Sequence, residues 1–345
     1  MKKFNWLNFG FQIGAIILAL LFTTAVLLLA GAPPLQAYLS VIKGMVGSMD
    51  DITNVLSAWA PLLLTTCGVL LTFAAGLWNI GIEGQIMAGA IFTTGALRLM
   101  LNSSLPTGWI LVIGFLAGLV GGAIWAALAG VLKIFGGVNE IFGGLGLNFV
   151  ATAFALYLII GPWARPGIAS TSGTLMFPQK LWLPAMGNYA FSPWALGLGI
   201  LVVILVFFLL RGTHFGLRLK AVGKNVKAAF LMGVPTWQYS MMAFLICGAF
   251  AGLAGAIQVT SVYHRLTPAI SSGYGFLGLL VAMLINYQAL WAAPVTLFFA
   301  ALNIGGIQLP IILKLDSSLS GVLQETLVLF VLLVEGARQN LFRKR

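Results

Sequence analysis

GLWNIGIEGQ, residues 76–85, sets Asn79, Glu83 and Gln85 among three glycines, between two apolar runs each long enough to cross a membrane. An ionisable side chain at membrane depth is costly, so Glu83 marks a functional site by default. The glycines interrupt the helical pattern, and irregular backbone at that depth is tolerated where protein buries it or where it lines a cavity. The stretch therefore reads as an interrupted helix beside a permeation route.

Composition agrees. Apolar residues make up 60% of the 345 and charged ones only 7%, with a mean hydropathy of +1.04. Soluble domains carry about 25% charged residues. The expected fold class is all-α: a single polytopic transmembrane domain over residues 1–345, with short or broken helices. Apolar segments of about 20 residues each fall near 12–31, 55–75, 80–99, 109–133, 139–161, 194–211, 238–259, 275–289, 291–305 and 321–336, giving about ten crossings. The eighth and ninth are short, with Asn286-Tyr287-Gln288 between them. The first apolar run exceeds the roughly 7–15 residues of a cleaved signal, so it reads as an uncleaved span. Cys67 and Cys247 lie in apolar runs and read as small packed hydrophobes.

The net charge of +11 does not point to nucleic acid, because Lys and Arg flank apolar segments instead of forming a basic face on a soluble domain. With both termini cytoplasmic, the inner face holds Lys2, Lys3, Lys133, Arg211, Arg218, Lys220, Lys224, Lys227, Arg338, Arg343, Lys344 and Arg345. The outer face keeps six: Lys43, Arg98, Arg165, Lys180, Arg265 and Lys314. That excess follows the positive-inside rule.

Two loops are long. The external loop 162–193 carries Pro166, Pro178, Pro184, Trp163 and Trp182. It reads either as a hairpin at the membrane interface, where Trp is enriched, or as a docking face for an outside partner. In the cytoplasmic loop 212–236, Asn225 is placed to cap a short helix and Gly233 to end it, with Pro235 blocking continuation. A helix this short is marginal alone, which favours docking on a partner over a polybasic loop resting on anionic lipid.

The chain shows no catalytic cluster. His214 and His264 fall on opposite faces of the expected topology, and Gly223-Lys224 lacks the upstream glycine of a phosphate-binding loop. No cofactor is expected on this chain; if transport is ATP-driven, ATP and Mg belong to a separate subunit. Polar residues within apolar runs stand out: Glu83, then Asn139, Glu140 and Asn148. Glu140 reads as a helix cap, and Asn148 either as a bond between helices or as a solute contact. Gly114, Gly118 and Gly122, with Gly248, Gly252 and Gly255, form small-residue faces for close helix packing.

GLWNIGIEGQIMAGA (76–90), VNEIFGGLGLNFVA (138–151), GLRLKAVGKNVKAAFLMGV (216–234) and ICGAFAGLAGA (246–256) occur in this order. Together they resemble the inner-membrane permeases of ABC importers of the branched-chain amino acid, ribose and nucleoside type, most similar to the nucleoside and simple-sugar branch. The resemblance implies a permease subunit for a small polar solute, above all nucleosides, in a multi-pass setting in the bacterial inner membrane. It implies ATP-binding subunits, a second permease (the same or related) and an external solute-binding protein as partners, besides membrane lipids. On this chain it makes Trp78, Asn79, Glu83, Gln85, Asn139 and Asn148 candidates for the solute route. It makes Lys220, Gly223, Asn225, Ala228, Ala229 and Gly233 the segment that docks on the ATPase. The competing reading is a secondary transporter driven by protons or sodium through Glu83. The lack of a catalytic cluster argues against a membrane-embedded enzyme.

Overall fold

A computed structural model describes residues 6–167, 171–187, 189–285, 288–314 and 318–343. Lys2, Lys3, Asn286, Tyr287, Lys344 and Arg345 lie outside the described residues. The elements are α-helices α1 (Trp6–Leu29), α2 (Pro34–Val46), α3 (Met49–Ala74), α4 (Ile82–Leu99), α5 (Thr107–Ile134), α6 (Glu140–Ile160) and α7 (Pro193–Gly212). They continue with α8 (His214–Lys224), α9 (Val226–Leu231), α10 (Thr236–Ile257), α11 (Tyr274–Leu284), α12 (Ala292–Gly306), α13 (Gln308–Leu313) and α14 (Ser318–Arg343). A π-helical turn, Gln258–Val262, prolongs α10.

The expected count of about ten crossings is corrected. Among the described residues six helices are long and apolar enough to cross a membrane, or seven if α1 and α2, bent by 112°, form one span. Two expected crossings fall outside this set for different reasons. The 18 residues of α4 carry Glu83 and Gln85 near the start and Arg98 at the end. The 11 residues of α11 rise only about 16 Å at 1.5 Å each. In α14 the apolar stretch among the described residues is Gln324–Val334.

The chain clusters into two compact units, residues 1–55 with 297–345, and residues 56–296. In the first, α1 packs on α14 and α2 on α13. Gly31, with φ +72°, makes the sharp turn after α1, and the Tyr38 hydroxyl lies 2.7 Å from that of Thr23.

The second unit is built round α10, which packs against α4 and α5, while α4 also packs on α6. Glycines make this possible. A Cβ at Gly248 or Gly252 would meet the carbonyls of Gly122 or Gly118 in α5, and one at Gly255 would meet the Ile86 carbonyl in α4. Backbones in such contact gain dispersion that needs no side-chain ordering, a common device between membrane helices. Of the small-residue faces read from the sequence, Gly118 and Gly122 of α5 meet Gly248 and Gly252 of α10, while Gly255 turns the other side of α10 to α4.

Part of the long loop is tied to the end of α10. Thr174, Phe177 and Leu183 donate backbone N–H groups to the carbonyls of Leu266 (2.9 Å), His264 (2.8 Å) and Thr260 (2.9 Å). The Trp182 ring stacks on His264 with centroids 3.6 Å apart.

Candidate functional site: two interrupted helices meeting at Glu83

The break after α3 is held by hydrogen bonds to its backbone. Gly76, at φ +73°, ends the helix, with Gly76 N–H on the Phe73 carbonyl and Leu77 N–H on that of Thr72. This paired pattern is a helix stop that favours glycine in the left-handed conformation. The three glycines then serve three contacts. A Cβ at Gly76 would lie 3.0 Å from the Gly223 Cα, one at Gly81 would lie 3.1 Å from the Gly144 Cα, and one at Gly84 would lie 2.9 Å from Asn148 Oδ1.

Asn79 and Gln85 face one another across the break. Asn79 Nδ2 donates to Gln85 Oε1 (3.0 Å), and Gln85 Nε2 donates back to Asn79 Oδ1 (2.9 Å). Asn79 Nδ2 also donates to Cys247 Sγ at 3.1 Å. Both amides are at most 1% exposed. Buried amides are tolerated when their donors and acceptors find each other. From α6, Asn148 accepts the Gly84 N–H (2.8 Å) and donates to the Ile80 carbonyl (2.9 Å), closing the break from the other side.

Glu83 reaches elsewhere. Its carboxylate accepts the Phe276 N–H at 3.0 Å and takes further hydrogen bonds from the Ser271 hydroxyl and the Gly275 N–H. These N–H groups belong to the first turn of α11, which has no intrahelical acceptors for them. A carboxylate there satisfies orphan donors and complements the positive end of the helix dipole. The N-termini of α4 and α11 therefore converge on one acidic side chain.

The second break, between the π-helical turn and α11, was not foreseen. Ser272 (φ +51°) and Gly273 (φ +73°) are both left-handed. Gln258 Nε2 donates to the Ile270 carbonyl (3.1 Å) and the Ser272 hydroxyl (3.2 Å), and the Tyr263 hydroxyl lies 2.9 Å from that of Ser272. The Ser271-Ser272-Gly273 run is the turn signal that marks it in the sequence. Cys247, read as a packed hydrophobe, proves also to be a hydrogen-bond acceptor.

The remaining candidates separate. Trp78 is 38% exposed and meets Phe73 edge-on. Asn139 caps α6 by accepting the Ile141 N–H at 2.9 Å. Glu140 pairs with Lys133 and takes the Trp78 N–H. In the loop, Asn225 accepts the Ala228 N–H (3.0 Å) and so caps α9, and Gly233 (φ +80°) ends it. Ala229 is buried at 2%, whereas Phe230, Leu231 and Met232 are 67%, 85% and 80% exposed. Lys220 points away from that tip and donates to the Leu210 carbonyl at the end of α7 (2.6 Å).

The sequence profile of the family described as "Branched-chain amino acid transport system / permease component" matches residues 51–333, which hold both breaks and the α8–α9 pair. The chain belongs to this permease family. Similar permeases include the glucose ABC transporter permease protein TsgB13 of Haloferax volcanii, 30% identical over 96% of this chain and 88% of that protein. The guanosine ABC transporter permease protein NupP of Bacillus subtilis is 26% identical over 92% and 91%. The nucleoside ABC transporter permease protein NupC of Lactococcus lactis is 28% identical over 77% and 86%. The permease is accordingly an ABC transporter component of the nucleoside and sugar branch and a multi-pass membrane protein.

Proposed function

We propose that this permease forms the membrane passage of an ATP-driven importer for a ribose-bearing or sugar solute, with nucleosides as the first choice. The observation that carries the reading is the α8–α9 pair: a capped two-turn helix presenting Phe230, Leu231 and Met232 to its surroundings. A solvent-facing apolar tip of this kind is a surface awaiting a partner. The partner is a cytoplasmic ATP-binding subunit, which carries ATP and Mg. A second permease and an external solute-binding protein complete the assembly in a bacterial inner membrane, with both termini of this chain on the cytoplasmic side. Relatives named for guanosine and nucleosides support the nucleoside choice, and one named for glucose keeps sugars in range.

The solute route runs past the meeting of the two breaks, with Trp78 and Glu83 nearest to it. The amides of Asn79, Gln85 and Asn148 act there by holding the break in shape. Coupling to protons or sodium through Glu83 is not favoured, because its oxygens are already engaged by hydroxyl and backbone donors.

The test is uptake of labelled guanosine, uridine and glucose into proteoliposomes holding the permease, its ATP-binding subunits and its solute-binding protein. ATP-dependent uptake of a nucleoside, lost when any partner is left out, is the expected result. Uptake by this chain alone, or uptake driven by a pH gradient without ATP, refutes the reading.

A further inference from the structure

We propose that the backbone contact between Gly76 and Gly223 is the joint through which movement of the α8–α9 pair reaches the interrupted helix; this rests on the ATP-driven reading above. Gly223 lies in the last turn of α8, two residues before the Asn225 that caps α9. Gly76 is the left-handed stop of α3 and the first residue of the break. A Cβ at Gly76 would lie 2.9 Å from the Gly223 carbonyl oxygen and 3.0 Å from its Cα. A Cβ at Gly223 would meet the Ala74 carbonyl and lie 2.9 Å from the Gly76 nitrogen.

Two features make this contact more than close packing. First, side chains absorb small displacements by changing rotamer, and neither partner has one, so a shift of α8 passes undiminished to the α3 stop. Second, what lies beyond the stop is connected. Three residues after Gly76, Asn79 joins Gln85 and Cys247, and Gln85 shares the first turns of α4 with Glu83, which holds α11. One turn before Gly223, Lys220 fastens α8 to the Leu210 carbonyl at the end of α7, so the Gly223 end of α8 lies between that anchor and α9. Chains of packed groups and hydrogen bonds carry coupling between distant sites.

The contact makes Gly76 and Gly223 positioning residues for transport. The test uses the reconstituted assembly and the Gly223→Ala variant. ATP hydrolysed per solute imported is expected to rise at least tenfold. An unchanged ratio overturns the proposal. Because Gly223→Ala risks misfolding, a second measurement avoids the joint itself. Spin labels are placed at Lys224→Cys paired with Trp78→Cys, and at Lys224→Cys paired with Phe154→Cys on α6; Cys67 and Cys247 are fully buried. Between nucleotide-free and ATP-bound assemblies the 224–78 separation is expected to stay constant while the 224–154 separation changes. A 224–78 separation that changes on ATP binding overturns the joint. Absence of ATP-driven uptake in the unaltered assembly strikes the functional reading instead, and the joint falls with it.

Discussion

Glu83 and Phe276 are 193 positions apart in the chain, yet the carboxylate of one accepts the backbone N–H of the other at 3.0 Å. The bond ties the start of one interrupted helix to the start of the other. Removing the carboxylate leaves the Gly275 and Phe276 N–H groups and the Ser271 hydroxyl without it; an unsatisfied buried donor costs about 1–3 kcal/mol, and these donors are buried or part-buried. Glu83→Ala should therefore cost about 2–5 kcal/mol and abolish uptake. Glu83→Gln keeps one acceptor and should cost only about 1 kcal/mol, the size of a charge–dipole contribution at a helix end. Thermal unfolding in detergent separates the two variants, and near-equal losses would count against the capping role.

Asn148 makes both of its hydrogen bonds to the backbone of the break. Asn148→Leu should lower stability by about 2–4 kcal/mol, from one orphaned N–H and one orphaned carbonyl. Asn148→Asp should behave no better, since a carboxylate turned toward the Ile80 carbonyl repels it. If solute binding falls while thermal stability is unchanged, Asn148 touches solute instead.

The Asn79–Gln85 amide pair is suited to a double-mutant cycle. Asn79→Leu and Gln85→Leu should each destabilise, and the double variant should recover about 1–3 kcal/mol relative to additivity, as contacting residues in one network do. Additive losses would mean that the two amides act apart.

The docking tip separates contact from folding. Leu231→Asp with Met232→Asp, both on exposed positions, should leave the melting temperature within about a degree while ATP-binding subunits no longer co-purify; surface changes are usually within about 0.5 kcal/mol. Ala229→Asp, at a buried position, should instead destabilise the loop itself. Retention of the subunits by the Leu231→Asp and Met232→Asp variant would move the docking surface elsewhere.

Burial beside Trp182 holds His264 below the usual histidine range, opposed by its hydrogen bond to the Thr260 carbonyl. The unfolded state then binds the proton more readily than the folded one. The contribution of this packing is fully present above about pH 6.5, the unperturbed value, and is lost as pH falls through the lower folded-state value. Melting temperature should decline on acidification from pH 7 to 5, and His264→Phe should flatten that decline. An identical profile in the variant would place the acid sensitivity elsewhere.

Apolar runs made the long helices of the second unit visible in the sequence, and Asn225, Gly233 and Pro235 punctuate the six-residue α9. By contrast, α8 (His214–Lys224) lay inside what reads as a loop, because its sequence is too polar to stand out. The number of crossings was not legible in the same way. Hydropathy sees how apolar a segment is, whereas whether α11 crosses depends on where its backbone leaves the helix, and Ser271-Ser272-Gly273 is a modest local signal. Glu83 was legible as unusual. Its partner was not, since no local pattern connects residue 83 to residue 276. In the docking segment, the caps were readable but the outward side of α9 was not: the choice between Ala229 and Leu231 is made by tertiary packing over one turn.

Gly252 is bounded on two sides at once. Its own Cβ would meet the Gly118 carbonyl in α5, and a Cβ at Gly89 in α4 would run into the Gly252 backbone. No outward relaxation of α10 is open, since retreating from one neighbour presses it into the other. Any saturation library aimed at changing what this permease carries should return glycine alone at 252, so selectivity must be retuned from the rims of the breaks while the central stave stays fixed.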